Sequence, residues 1–162
     1  MPADLPPDLA SLTRWGFADP GPFREELTAL ALAGTKTTTA SLLVELEADG
    51  ESVPAPGTLE VMIDSADRPV AVVEIIAAPV KRFADVDDQH AIDEGEGYAN
   101  AAEFREDHGA YWNSYVDDLR RRIGDPSFAI TDDTLIMCER FRVVATIDPE
   151  SGIVIWRDPA GR

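Results

Sequence analysis

The segment Gly34-Thr35-Lys36-Thr37-Thr38-Thr39-Ala40-Ser41 places an amine three residues before a hydroxyl. A hydroxyl is a weak nucleophile that needs a base, and a desolvated lysine can serve as one. Lys36 and Thr39 are therefore the first candidate pair. Strand propensity accounts for the same threonines as an exposed strand edge. In a regular strand residues i and i+3 face opposite sides, so this pair converges only where the chain bends between them. The segment lacks the glycine spacing of a phosphate-cradling P-loop.

A second cluster is acidic: Asp85, Asp87, Asp88, His90, Asp93, Glu94 and Glu96. It reads either as a solvated helix start, with acids at the positive end of the dipole, or as a hard-cation site or general acid or base. The spacing matches no EF-hand loop, so no metal ligand is assigned and no cofactor or divalent cation is indicated. His108 stands beside Tyr111 and Trp112 on an apolar stripe. It reads as a core histidine or as part of an aromatic pocket that stacks a planar ligand. Arg140 and Arg142 alternate with Phe141 and Val143 and so share one strand face. That face either pairs with surplus acids or forms a small basic floor for an anionic ligand. Cys138 reads as a buried small hydrophobe.

These residues need elements to position them. After the Asp19-Pro20-Gly21-Pro22 turn, Phe23, Leu27, Leu30 and Ala31 recur at helical spacing, and Gly34 closes that helix. Lys36 to Glu47 reads as a strand. Leu59 to Ile63, Val70 to Ile76 and Val80 to Phe83 follow as strands, the first two joined by a turn at Ser65 to Pro69. Asp85 to Glu96 reads as a short helix and loop. A long helix is expected from about Ala99 to Ile123, with Arg120, Arg121 and Arg122 in its last turn and Gly124 closing it. Leu135 to Ile147 is a long strand, Asp148 to Gly152 a turn, and Ile153 to Trp156 a final strand. This order gives an α+β fold with a small curved sheet or barrel. The expected organisation is an N-terminal arm (1–14), one domain (15–147) and a C-terminal hairpin extension (148–162).

Composition narrows the function. The chain has 162 residues, 31 acids against 14 Lys and Arg, and a net charge of -17. That balance argues against a generic basic-groove DNA binder, because phosphate neutralisation supplies most of such affinity. Nucleic acid recognition would need a local basic pocket inside an acidic envelope. The single cysteine rules out an intramolecular disulfide framework and four-cysteine zinc sites. With no signal-peptide pattern and no apolar run long enough for a bilayer, the expectation is a cytoplasmic protein without membrane partners.

The segment from Phe17-Ala18-Asp19 to Thr39 resembles the opening of an ASCH domain, whose signature is Gly-x-Lys-x-x-Thr-x-Arg. Gly34, Lys36 and Thr39 match it, and Ser41 stands where the arginine is expected. Three further landmarks agree in order: the strand pair around Pro69 to Val80, the stretch His90 to Gly97 followed by a helix with Phe104, Arg105 and His108, and the closing Cys138 to Val144. Phe104 takes the place of an expected tryptophan. The resemblance covers about Trp15 to Ala145 and implies a PUA-like fold, a small β-barrel flanked by helices.

It also implies an association with RNA or a nucleoside ligand. Longer members, which this chain resembles more closely, are ribonucleases dependent on the motif lysine. Small members are amidohydrolases of N4-acetylcytidine with a threonine nucleophile, a lysine base and a glutamate. Carried over, the catalytic positions are Lys36, Thr39 and Glu94, with Ser41, His108, Tyr111 and Arg140 as ligand contacts. The resulting expectation is a ribonuclease, the alternatives being the amidohydrolase and a non-catalytic module that binds a nucleotide or modified base.

Overall fold

The computed structural model describes residues 6–157. They form two compact units, one of residues 6–37, 55–76 and 141–157, the other of residues 38–54 and 77–140. In chain order the elements are α1 (Pro7–Ala10), β1 (Arg14–Trp15), α2 (Pro22–Leu32), β2 (Thr38–Leu42), α3 (Leu43–Ala48), β3 (Leu59–Ile63), β4 (Pro69–Ala77) and β5 (Val80–Arg82). After a 3-10 turn at Phe83–Asp85 come α4 (Asp88–Asp93), α5 (Ala101–Asn113), α6 (Val116–Ile123), β6 (Leu135–Ile147) and β7 (Val154–Trp156). The class is α+β, as expected. Among the described residues no helix is long and apolar enough to cross a membrane.

In the first unit the strands run β1-β3-β4-β6, with β7 on the end of β6. β1 is parallel to β3, pairing Arg14 with Val61, while β3 and β4 form an antiparallel hairpin. At the hairpin turn the Asp64 carboxylate accepts the N–H groups of Ala66 and Arg68, both at 2.9 Å. Burial opposes ionisation of Asp64, but those two N–H groups and the Arg68 guanidinium outweigh it and hold the carboxyl below its usual range. β4 is buried from Pro69 through Val73, the pattern of a strand covered on both faces. Val61, Val72, Ala145 and Ile147 make an aliphatic core that also takes in Leu9 of α1. The expected arm thus contributes a core residue; its first five residues, and residues 158–162 of the expected extension, lie outside the described chain.

Helix α2 ends in a Schellman motif. Gly34 has φ 79°; its N–H donates to Ala31 O at 3.0 Å and that of Thr35 to Leu30 O at 3.0 Å. A glycine meets the left-handed conformation here without a Cβ penalty. Arg24 of the same helix is buried and donates to the carbonyls of Phe17 (2.8 Å) and Ala18 (2.7 Å). A Cβ on Gly16 would lie 2.8 Å from its guanidinium carbon, so a glycine is needed for this approach.

In the second unit β2 pairs antiparallel with the start of β6, Thr38 to Arg140 through Leu42 to Ile136, and β5 pairs with β6 as well. The core is aromatic: Phe83, Phe104 and Trp112, with Leu42, Leu119, Ile136 and Cys138. Two expectations are corrected here. The strand expected over 36–47 begins at Thr38 and stops at Leu42, where the chain turns into α3. Leu43-Val44-Glu45-Leu46-Glu47-Ala48 is rich in helix formers, and Glu45 is held there by Tyr115 Oη at 2.9 Å. The helix expected over 99–123 is two helices. The Asn113 side chain bonds the Gly109 carbonyl and Ser114 Oγ the Tyr111 carbonyl, and Tyr115 leaves the helical region at φ -127°. Such side-chain bonds compete with the backbone ladder and favour a break.

Candidate functional site

Lys36 lies in the turn between α2 and β2 rather than in the strand, so the alternation that would oppose it to Thr39 does not apply. Its backbone N–H donates to Leu30 O at 3.1 Å, an extension of the Schellman turn. The residue is 1% exposed. Its Nζ sits 5.3 Å from the centroid of the Phe17 ring, within cation–π range. Phe17 in turn meets Trp15 edge-on at 4.8 Å and Phe141 at 6.1 Å. All of these residues belong to the first unit. The motif lysine is therefore a desolvated amine over an aromatic floor.

Thr39 and Glu94 belong to the second unit. Thr39 is half-buried on β2 opposite Glu139, and Ser41 lies two residues on, opposite Met137. Glu94 is 1% exposed, and its Oε1 is 3.0 Å from His90 Nε2, one helical turn away. His90 is fixed from several sides. Its backbone N–H donates to the Asp87 cap at 2.8 Å, its carbonyl accepts from Thr38 Oγ1 at 2.9 Å, and its ring stands edge-on to Phe104. The His90 N–H, with help from Lys81, holds the Asp87 carboxyl below its usual range. Among the acids of this stretch, Asp93 faces Arg140 at 2.8 Å and Asp88 accepts the Ala101 N–H, while Glu94 turns inward.

The remaining positions separate. His108 stacks on Phe104 at 4.0 Å and 26° and meets Trp112 edge-on, so its ring is part of the core packing. Tyr111 is exposed and meets Tyr115 edge-on at 5.4 Å. Arg140 pairs with Asp93, and Arg142 pairs with Glu74 at 3.2 Å. Burial pushes the Cys138 thiol up to about 11. Among the described residues no group of three or more His, Cys, Asp and Glu could hold a metal ion. Sequence reading singled out Lys36, Thr39 and Glu94 but not Phe17 beneath the lysine or His90 as the partner of Glu94. The i, i+4 spacing of His90 and Glu94 on a helix was the available signal.

The family model described as the ASCH domain matches residues 13–145. The chain belongs to the ASCH domain family. It is similar in structure to the ASCH domain from Lactobacillus crispatus JV V101, with TM-score 0.67 and 24% identity over 84% of this chain and 81% of that one. It is also similar to protein EF3133 from Enterococcus faecalis V583, with TM-score 0.69 and 21% identity over 83% of this chain and 77% of that one. No curated protein matches the chain. At these identities the structures speak for the fold, which is PUA-like and α+β, as the resemblance implied. The PUA-like fold of the ASCH family is an RNA-binding one, and membership leaves the reaction open.

Proposed function

We propose that this ASCH chain is a hydrolase of acylated nucleosides, cleaving an acyl amide on a cytidine-type base, with the roles that the ASCH resemblance implies: Thr39 as nucleophile, Lys36 as base and Glu94 as the group that orients the leaving amine. The observation that carries this reading is the burial of Lys36. A lysine that is 1% exposed is poorly placed to grip the backbone of a long polyanion, and desolvation is what lets an amine act as a base. The surface supports the same choice. Arg68, Lys81, Arg82, Arg120, Arg122 and Arg140 each face a carboxylate at 3.3 Å or closer. With those cations compensated and a net charge of -17, a neutral nucleoside approaches without the long-range repulsion that RNA meets.

The chemistry balances without a cofactor. Thr39 Oγ1 bonds to the acyl carbon as its proton passes to the general base. The carbon–nitrogen bond then breaks, and the amine of the base leaves with a proton. Water cleaves the acyl-threonine ester, releasing the carboxylic acid and restoring the hydroxyl. The second reading is a ribonuclease using the same lysine. It is favoured by the resemblance to the longer ASCH members. A non-catalytic module that binds a nucleotide or modified base is the outcome if neither substrate turns over. The test is incubation of the wild type, Lys36→Met and Thr39→Val with N4-acetylcytidine and with mixed-sequence RNA, read by mass spectrometry. Cytidine and acetate from the wild type alone are expected. Shortened RNA with intact N4-acetylcytidine overturns the assignment in favour of the ribonuclease.

A further inference from the structure

The first unit contains a cavity of about 450 Å³ whose walls include Lys36, Thr37, Phe141, Arg142, Trp156 and Arg157. Its charge runs against that of the chain. Three of the 14 Lys and Arg line it, with one acid, Glu74, out of 31. Glu74 is committed to Arg142, which it holds at 3.2 Å. Beside that pair stands the Arg157 guanidinium, whose hydrogen bond goes to a neutral carbonyl, that of Leu32. The rest of the lining is largely apolar, with an indole from Trp156.

Trp156 and Arg157 lie after residue 145, where the ASCH match ends. β7 brings them in: Trp156 pairs with Ala145 of β6, and the Arg157 N–H donates to Val144 O at 2.7 Å. One guanidinium N–H of Arg157 donates to Leu32 O at 3.0 Å, which ties the end of β7 to α2 and aims the fork. Trp156 is 54% exposed, a large apolar ring left open at a cavity wall. An open indole beside a fixed guanidinium offers a stacking face for a planar base and a donor fork for a phosphate. The volume suits a small ligand rather than a strand.

We propose that this cavity is a mononucleotide site, in which Trp156 stacks the base of a nucleoside monophosphate and Arg157 binds its phosphate. The site goes beyond the hydrolase reading: it shares the Lys36 wall with it, is built in part from residues outside the ASCH match and does not include Thr39 or Glu94. The shared chemistry is a base bearing a phosphate monoester. The acidic envelope favours a free mononucleotide over the end of an RNA strand as its source.

The test is calorimetric titration of the full chain with CMP, UMP, AMP and GMP, with the parent nucleosides, with inorganic phosphate and with a 5′-phosphorylated oligonucleotide. At least one monophosphate is expected to bind more tightly than its nucleoside or phosphate alone and to quench tryptophan fluorescence. Trp156→Ala should weaken binding about tenfold or more and abolish the quench, while Trp156→Phe keeps most of the affinity. Arg157→Gln should weaken the monophosphate and leave the nucleoside unchanged. Thr39→Val should bind as the wild type does, so loss of hydrolysis and loss of this site are separate results. Monophosphate binding that is absent, or unchanged in both Trp156→Ala and Arg157→Gln with folding verified by circular dichroism, overturns the proposal. Tighter binding of the phosphorylated oligonucleotide overturns the free mononucleotide as the source.

Discussion

Lys36 and Glu94 are equally hidden from solvent, at 1% exposure each, yet their surroundings differ in kind. The lysine amine lies over the Phe17 ring at 5.3 Å, and that ring packs against Trp15 and Phe141. The glutamate meets an imidazole nitrogen at 3.0 Å, and that imidazole is itself held by a helix cap, a strand hydroxyl and a ring contact. A ring beneath a cation is an apolar contact as well as an electrostatic one, whereas a hydrogen bond to an imidazole fixes a direction. The first setting desolvates a group above an aromatic ring. The second orients a group and holds it. A general base profits from desolvation and a positioning carboxylate from rigidity, so the contrast fits the two roles proposed.

The largest expected effect comes from removing the lysine charge. Lys36→Met keeps the volume and the apolar contact but loses the amine. Turnover should fall by about 10²–10⁴-fold, and a melt run beside it separates loss of the amine's chemistry from loss of the fold. Steady-state kcat/KM beside a thermal melt reads both. Full activity in Lys36→Met would remove the lysine from the reaction.

Phe104 tests the second side. It contacts the rings of His90 and His108 and is fully buried. Phe104→Ala should cost about 3–5 kcal/mol in urea unfolding. Gly34→Ala is a smaller test of the first setting, since it forces a Cβ into the left-handed turn at φ 79° that leads into Lys36. A loss of about 1–2 kcal/mol is expected.

The cap at Asp87 sharpens the comparison by pH. Asp87→Ala should cost about 1 kcal/mol near neutrality. Because the folded Asp87 carboxyl is held below its usual range, chiefly by the His90 N–H, it contributes stability above the unfolded value of about 3.9. That contribution is lost as pH falls through the lower folded value. The gap between wild type and Asp87→Ala should therefore be constant above about pH 5 and close below about pH 4. The smallest effect is at Cys138. With its thiol pushed up to about 11 by burial, the folded chain should resist iodoacetamide at neutral pH and react only when unfolded.

What the sequence revealed follows the same division. β6 was legible to the residue, because a long β-branched and apolar run bounded by polar turns has one reading. The end of α2 was equally clear from Gly34. The strand over 36–47 failed because Thr and Val favour strands locally, while Glu45 gains a partner in Tyr115 that lies 70 residues away. The helix over 99–123 failed because its apolar stripe continues through Ser114 and Tyr115, where side-chain bonds break the backbone ladder. Residue type picked out Lys36 and Thr39. Composition could not say which of the clustered acids turns inward, since that depends on where His90 is anchored. The cavity beside Trp156 was not legible at all, because it exists only once β7 has paired with β6.

Attack of Thr39 on an acyl amide would leave a covalent mark, which the mass of the chain itself reads. The wild type and Glu94→Gln would be mixed with N4-acetylcytidine, quenched rapidly in acid and digested. An acetyl group on the peptide carrying Thr39, with an equal yield of free cytidine and no adduct in Thr39→Val, is the expected result. Cytidine release with no acylated Thr39 in either chain would contradict the account, as would an unmodified chain that cleaves RNA and leaves N4-acetylcytidine intact.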